Sequence, residues 1–158
     1  MSQHQLDRET AERVSVGLIR LMKLLQAMRQ HAPRIHPAVD ATAYPILFNL
    51  AAEPRRVSVL AEVVHSDVST VSRQVSTLVD LGFVVRGPDP DDGRAQALSL
   101  TDEGSALLTA IRDDRDRWLQ GLLADWSDDD VTSFTTHLRH FASDLEASIP
   151  SLTRRNDR

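Results

Sequence analysis

The sequence predicts a mainly α-helical fold that contains one small β-hairpin. Segments with the apolar periodicity of helices occupy both ends of the chain. In the middle, two short helical segments are separated by only two residues, and two short apolar runs then flank a segment rich in Gly, Pro and Asp. Together these observations predict an α+β protein in which the hairpin is the minor part.

The first two predicted helices cover residues 7–31 and 40–53. The first carries apolar residues at spacings of three and four and ends before a pair of prolines, which lack the amide hydrogen that a helix interior needs. Its apolar stripe comprises Val14, Leu18, Leu21, Met22, Leu25 and Met28. The second is closed by Pro54, and its start shifts to Tyr44 if Pro45 occupies the first helical turn.

Two shorter helices are predicted next, at residues 58–64 and 67–81. Either Ser66 or Asp67 is a suitable N-cap for the longer one, because both side chains can accept a hydrogen bond from a free amide of the first turn. Gly82 follows as a C-terminal stop.

The hairpin and two further helices complete the chain. Residues 83–86 and 97–100 are the predicted strands, Thr101 caps a helix over residues 102–124, and Ser127 with three following aspartates opens the last helix. The last helix repeats apolar residues at spacings of three and four, at Val131, Phe134, Leu138, Phe141 and Leu145.

This order of elements is that of a winged helix-turn-helix with long helices at both ends. We therefore divide the chain into an N-terminal dimerisation helix at residues 1–39, a DNA-binding domain at 40–101 and C-terminal dimerisation helices at 102–158, all within one compact domain. The apolar stripes of the terminal helices exceed what the central unit could cover, which predicts a homodimer.

Composition excludes several classes of protein. The 158 residues include no cysteine, which rules out disulfides and thiolate metal sites, and no apolar run reaches the roughly 18 residues of a membrane span. The first residues lack the pattern of a secretory signal, so we expect a cytoplasmic protein without a membrane partner. The net charge of −5 arises from the last third, since residues 95–158 carry 7 Lys/Arg against 12 Asp/Glu and residues 54–94 carry 5 against 6.

The predicted helix at 67–81 has one apolar and one polar face. At 100° per residue, Val68, Val71, Val75 and Leu78 share the core-facing side. The opposite side is small and polar, with Arg73 as its long bidentate donor, which suits the major groove of DNA. An ordinary solvated helix face is the alternative that this helix alone leaves open.

The segments that follow give the pattern a specific meaning. Residues 68–75, 78–86, 89–95 and 98–104 resemble, in order and spacing, the signature of the MarR family: a serine-rich recognition helix, a Leu-x-x-Leu-Gly helix end, an Asp-x-Arg wing and a Leu-Thr-x-x-Gly entry to the next helix. The resemblance implies a ligand-responsive, DNA-binding dimer, and we expect no cofactor. One departure is that the wing lacks a second basic residue beside Arg94.

Double-stranded DNA is thus the expected partner. The resemblance implies that the wing arginine, Arg94, enters the minor groove or pairs with Asp92 as its tether. Arg55, Arg56 and Arg86 are further candidates for backbone contacts, with an exposed structural role as the alternative for each. The complete set of DNA-binding candidates is Ser69, Thr70, Ser72, Arg73, Ser76, Thr77, Arg94, Arg86, Arg55 and Arg56.

The resemblance also implies a dimer built from the terminal helices and a small aromatic or lipophilic effector bound beside them. The candidate dimerisation residues are Leu18, Leu21, Leu25, Phe134, Leu138 and Phe141. The candidate ligand-binding residues, for which ordinary core packing is the alternative, are Met28, His31, His36, Tyr44, Phe48 and Ile111.

Other functions have little support in the sequence. His137, His140 and Asp144 have helical metal-ligand spacing. Three such residues on an exposed flank are usually solvated, and a zinc site needs a fourth ligand or water, so we expect no metal. No phosphate-binding glycine loop or nucleophile motif is present, which argues against an enzyme. The remaining alternative is a protein-interaction scaffold that has lost DNA binding.

Overall fold

The computed structural model describes the backbone of residues 6–31 and 35–156 and the side chains of residues 6–28 and 35–148. Its fold is mainly helical with one two-stranded antiparallel hairpin, as the sequence predicts. The helices are α1 (Arg8–His31), α2 (Tyr44–Leu50), α3 (Val57–Val63), α4 (Val68–Asp80), α5 (Asp102–Leu122) and α6 (Asp128–Asn156), and the strands are β1 (Val84–Pro88) and β2 (Gln96–Leu100).

The chain divides into two compact units, Met1–Ile111 and Arg112–Arg158, with the boundary inside α5. The domain bounds at residues 39 and 101 remain a prediction. No helix in the described ranges is long and apolar enough to cross a membrane.

Helix α2 is shorter than the predicted 40–53. Asp40 caps a short 3-10 segment, Ala41–Ala43, by accepting a hydrogen bond from the Thr42 amide at 2.8 Å. The α-helix then begins at Tyr44, with Pro45 in its first turn, where a missing amide hydrogen costs nothing. The structure thus realises the later of the two possible helix starts.

A single-residue β-bridge, which sequence patterns do not reveal, lies beside the two-stranded hairpin. Within the hairpin, Val84 pairs with Leu100 and Arg86 with Leu98. On the other edge of β2, Arg55 forms an isolated antiparallel bridge to Leu98, with N–O distances of 3.1 and 2.9 Å. A one-residue bridge has no periodicity, so only the fold identifies it.

One apolar core lies in the first unit and holds α2, α3, α4, the hairpin and the start of α5 together. Ile46, Leu47, Leu60, Leu78 and Leu98 are among its almost fully buried members. Burial of such a side chain contributes about 1.5–3 kcal/mol, so this core dominates the stability of the unit. Helices α3 and α4 pack against each other as the two helices of a helix-turn-helix.

Candidate nucleic-acid interface

Helix α4 begins at a capped N-terminus that carries several of the predicted DNA-binding side chains. Asp67 precedes the helix, and its carboxylate accepts hydrogen bonds from the Ser69 hydroxyl at 2.5 Å and the Thr70 amide at 2.8 Å. These bonds, that from Ser69 first, hold the pKa of Asp67 well below its ordinary value. Of the two N-caps that the sequence left open, the structure therefore uses Asp67.

The two faces of α4 differ in burial. Val71, Val75 and Leu78 are fully buried. The polar candidates on the other side are either exposed or half-buried: Ser69, Arg73, Ser76 and Thr77 are exposed, and Thr70 and Ser72 are half-buried. The prediction that Val68 faces the core is wrong, because this first helical residue is 54% exposed and the buried stripe begins one turn later.

The polar face of α4 retains unused hydrogen-bonding capacity. Arg73 Nη2 donates to Thr70 Oγ1 at 3.0 Å, and the Ser76 and Thr77 hydroxyls donate to carbonyl oxygens one turn earlier at 3.0 and 3.2 Å. A guanidinium has five N–H donors and a hydroxyl two lone pairs, so donors and acceptors remain for other partners. This arrangement can meet base edges and phosphates in a major groove.

The approach to α4 is fixed by its turn and by one long-range bond. His65 adopts a left-handed conformation (φ 51°) between α3 and α4, and the Ser66 amide donates to the Ala61 carbonyl at 2.9 Å. Gln74 Nε2 donates to Thr42 Oγ1 at 3.0 Å, which connects α4 to the 3-10 segment. Sequence reasoning missed Gln74, because its partner lies 32 residues away.

The wing turn is organised by two aspartates. Asp89 Oδ1 accepts hydrogen bonds from the Asp91 and Asp92 amides, each at 3.0 Å, and Asp92 Oδ1 accepts one from the Arg94 amide at 3.1 Å. Asp92 thus contacts the main chain of Arg94. The Arg94 guanidinium itself is exposed and has no hydrogen bond or ion pair with any residue of the described ranges.

The other candidate arginines occupy different environments. Arg56 pairs with Asp89 at 2.7 Å, and Arg55 Nη2 pairs with Glu53 at 2.8 Å. Arg55 Nε is buried and has no hydrogen-bond partner among the described residues. Arg86 is exposed within β1. Arg86 has no ion pair with the described residues, whereas Arg55 and Arg56 each have one that a contact with DNA would disturb.

The Gly-Phe and Thr-x-x-Gly segments of the signature are structural. Gly82 ends α4 with φ 78°, and the following Phe83 amide donates back to the Leu78 carbonyl at 2.9 Å. Thr101 Oγ1 donates to the Gly82 carbonyl at 2.6 Å and accepts from the Gly104 amide at 3.0 Å. A Cβ on Gly104 would lie 2.0 Å from the Phe83 oxygen, so this close approach requires glycine.

Three predicted ligand-binding residues lie in or against the core. Ile111 is 5% exposed and belongs to the core cluster, and Tyr44 and Phe48 are half-buried against it. The Tyr44 hydroxyl is buried and has no hydrogen-bond partner among the described residues.

The other three ligand candidates are spread over α1 and the segment after it. The His36 ring makes an edge-on contact with Phe83 at 5.1 Å between centroids, and Met28 is 38% exposed. The side chain of His31, in the last turn of α1, lies outside the described residues.

The dimerisation candidates are mostly solvent-exposed within the single chain. Leu18 is half-buried, and the exposed members are Leu21, Leu25, Phe134, Leu138 and Phe141. Phe134 contacts Trp126 edge-on at 5.5 Å.

The two histidines of α6 make separate contacts. His140 Nε2 lies 3.5 Å from Asp144 Oδ2, and His137 Nδ1 lies 2.6 Å from the Ser133 carbonyl oxygen. In the described part of the chain, no three His, Cys, Asp or Glu side chains are grouped to hold a metal ion.

Winged-helix DNA-binding proteins combine a helix-turn-helix packed on an apolar core, a second helix with an exposed polar face, and a hairpin that carries an arginine at its tip. The structure described above has all three features and defines this class. Comparisons with known proteins specify the family. A MarR family model matches residues 39–95. An HTH-type transcriptional regulator of Mycobacterium bovis is 30% identical over 119 residues, which are 75% of this chain and 80% of that protein. The regulator YxaD of Bacillus subtilis is 36% identical over 81 residues, 51% of this chain and 57% of that protein.

Solved structures show the same fold. A MarR family protein from Bacillus stearothermophilus superposes with a TM-score of 0.77 at 18% identity, over 90% of this chain and 99% of that one. The PcaV transcriptional regulator from Streptomyces coelicolor gives a TM-score of 0.60 at 28% identity, over 84% and 98%. The chain belongs to the MarR family of DNA-binding transcriptional regulators, whose members are not enzymes.

Proposed function

We propose that this chain is a cytoplasmic repressor that binds a pseudo-palindromic operator as a homodimer and is released by a small aromatic or lipophilic ligand. Helix α4 of each subunit enters a major groove, and Arg94 of each wing enters an adjacent minor groove. The observation that carries the proposal is the difference in burial between the two faces of α4. Its apolar face is buried in the core, while Arg73 and its hydroxyl neighbours lie on the opposite, polar face.

The side chains of α4 support direct reading of bases. Arg73 donates to guanine O6 and N7, whereas Ser69 and Thr70, at the helix N-terminus, bind phosphates or base edges. Ser72, Ser76 and Thr77 complete the polar surface. Arg86 and Arg94 add positive charge from the hairpin, and neither has an ion pair with the residues that the structure describes.

The terminal helices support the homodimer. On α6, Leu138 and Phe141 are 50% and 42% exposed, and Leu21 and Leu25 on α1 are 48% and 45% exposed. Such stripes on long helices are the usual contact surface between helices of two subunits. A two-fold dimer then presents its two α4 helices to half-sites about one helical turn apart.

Two observations support a small-molecule effector. The buried Tyr44 hydroxyl has no partner in the described structure, and a phenolate or carboxylate would supply one. The PcaV regulator of Streptomyces coelicolor, at 28% identity, has a structure in complex with its natural ligand.

The replacement Arg73→Ala tests the DNA-binding mode. We expect a loss of about 1–3 kcal/mol of specific binding to DNA upstream of the protein's own gene, with relaxed preference at one base position per half-site. Arg117→Ala, which removes an equal charge from α5, is the matched control and should bind as the unmodified protein does.

Salt titration of the same assay distinguishes the candidate functions. A uniform loss over all sequences would make Arg73 a phosphate contact, and absence of specific binding by the unmodified protein would favour the interaction scaffold. Transcription in vitro from the bound promoter separates a repressor from an activator.

Tyr44→Phe tests the effector site because it removes only one oxygen atom. We expect operator binding to be retained, stability to be unchanged or raised, and release of the operator by small aromatic carboxylates to be weakened. Equal release of both proteins by such compounds would exclude Tyr44 from the site.

A further inference from the structure

The ion pair between Arg56 and the wing turn has a role that the predicted phosphate contact does not describe. Arg56 is the residue immediately before α3, and Asp89 lies 33 positions later, at the start of the wing turn. Arg56 Nε donates to Asp89 Oδ2 at 2.7 Å, and Arg56 Nη2 lies 3.5 Å from Asp92 Oδ2. One guanidinium therefore joins the helix-turn-helix to both aspartates that organise the wing.

The two carboxylate oxygens of Asp89 have different tasks. Oδ1 accepts the Asp91 and Asp92 amides within the turn, and Oδ2 accepts the Arg56 guanidinium. The Asp89 side chain is only 9% exposed, whereas that of Arg56 is 40% exposed. The hydrogen bond from Arg56, followed by those of the turn amides, lowers the pKa of Asp89 to about 2.

We propose that Arg56 is a positioning residue that, through Asp89 and Asp92, fixes the wing turn and so orients Arg94 for DNA. The inference rests on the proposed DNA-binding function. Its last link is the Asp92 carboxylate, which accepts the Arg94 amide at 3.1 Å and leaves the Arg94 guanidinium to project from the turn. Arg56 acts through these bonds and does not itself bind phosphate.

Asp89→Asn gives the sharpest test because the two explanations predict opposite signs. An asparagine oxygen still accepts the turn amides, but the charge-assisted bond to Arg56 is lost. If Arg56 is a positioning residue, operator affinity falls about tenfold. If Arg56 binds phosphate, affinity rises, because the substitution frees Arg56 and removes a negative charge near DNA.

Asp91→Asn is the matched control. It removes the same charge from the same turn, but the Asp91 side chain has no hydrogen bond or ion pair in the described structure. We expect its operator affinity to be equal to or above that of the unmodified protein. A loss equal to that of Asp89→Asn would overturn the proposal, since the loss would then not depend on the contact with Arg56.

Arg56→Ala and the double variant Arg56→Ala/Asp89→Asn complete a cycle. The pair acts as one unit if the double variant binds about as weakly as either single variant. Additive losses, or unchanged or tighter binding by Asp89→Asn, would overturn the proposal. Circular dichroism verifies that each variant is folded.

Amide hydrogen exchange of the free protein provides a measurement that does not depend on DNA. The proposal predicts faster exchange of the turn amides in Asp89→Asn and Arg56→Ala than in Asp91→Asn. If the unmodified protein bound no operator, the proposed function would fail, and faster exchange would still support the Arg56–Asp89 link. Equal exchange in all three variants would overturn the link itself.

Discussion

The central winged helix-turn-helix and the terminal helices have the same apolar periodicity, but their apolar residues differ in burial. In the centre, Val75 and Leu78 of α4 are 0% exposed, because they belong to one core with residues of α2, α3, the hairpin and α5 of the same chain. On α6, Leu138 and Phe141 recur at equivalent spacing and are 50% and 42% exposed. Periodicity therefore identifies a face that must be covered, but it does not identify the chain that covers it.

Of the changes that test this difference, the double replacement Leu138→Asp/Phe141→Asp should have the largest effect on the protein. Two charges in a desolvated contact between subunits would cost several kcal/mol, so we expect monomers that keep their central fold and lose tight operator binding. Light scattering with circular dichroism measures both properties. Thr136→Asp/Ser143→Asp places the same charges on the opposite face of α6 and should remain dimeric.

Either of two results would contradict the division of the chain into an independently stable central fold and dimer-forming terminal helices. A Leu138→Asp/Phe141→Asp protein that stays dimeric would exclude this face from the interface. One that unfolds as a single unit would show that the centre is not independently stable.

Two valines on α4 test the centre alone. Val75→Ala removes two buried methyl groups and should lower the free energy of unfolding by about 2–3 kcal/mol. Val68→Ala makes the same chemical change at a site that is 54% exposed and should change it by less than about 0.5 kcal/mol. Chemical denaturation measures both, and equal losses would mean that Val68 is covered in solution.

Two glycines of α5 extend the comparison along one helix. Gly104→Ala brings a Cβ within 2.0 Å of the Phe83 oxygen, so the helix start must shift, at a cost of about 1–3 kcal/mol. A Cβ on Gly121 would have no described neighbour within 4 Å, and Gly121→Ala should stabilise the helix by up to about 1 kcal/mol. Thermal unfolding compares them. A destabilising Gly121→Ala would place a close neighbour, from another subunit, at that end of α5.

Local patterns were sufficient for most of the fold. The predicted cap Thr101 accepts the Gly104 amide at 3.0 Å, and Ser127 accepts the Asp130 amide at 3.2 Å. A cap acts within four residues, so the sequence contains all that is needed to find it. The apolar stripe of α4 also follows from a local pattern, the spacing of its residues along the helix, apart from Val68 at its end.

Long-range pairs could not be predicted. The bridge from Arg55 to Leu98 and the pair of Arg56 with Asp89 join positions more than 30 residues apart. An arginine pair before a helix has the same local pattern whether it faces solvent, phosphate or an aspartate. Only the three-dimensional arrangement shows that the Arg56 guanidinium is paired with Asp89, and that the Arg94 guanidinium has no such partner among the described residues.

The smallest expected effect concerns the wing turn, which lies outside the apolar core, and the pKa of its Asp89. The pKa of Asp89 is lowered to about 2 by the Arg56 hydrogen bond and the turn amides, from about 3.9 in an unfolded chain. The folded pKa lies below the unfolded one, so this stabilisation is complete above about pH 4 and is lost as the pH falls towards 2.

A carboxyl titration followed by nuclear magnetic resonance checks this value directly. We expect a midpoint for Asp89 near 2 at low salt. In Arg56→Ala the midpoint should rise towards about 3.9, because the hydrogen bond that lowers the pKa most is then missing. Arg56 is partly exposed, so salt should narrow the difference between the two proteins without abolishing it. A midpoint near the unfolded value in the unmodified protein would show that the Arg56–Asp89 contact is not populated in solution, and the wing would then depend on its own turn alone.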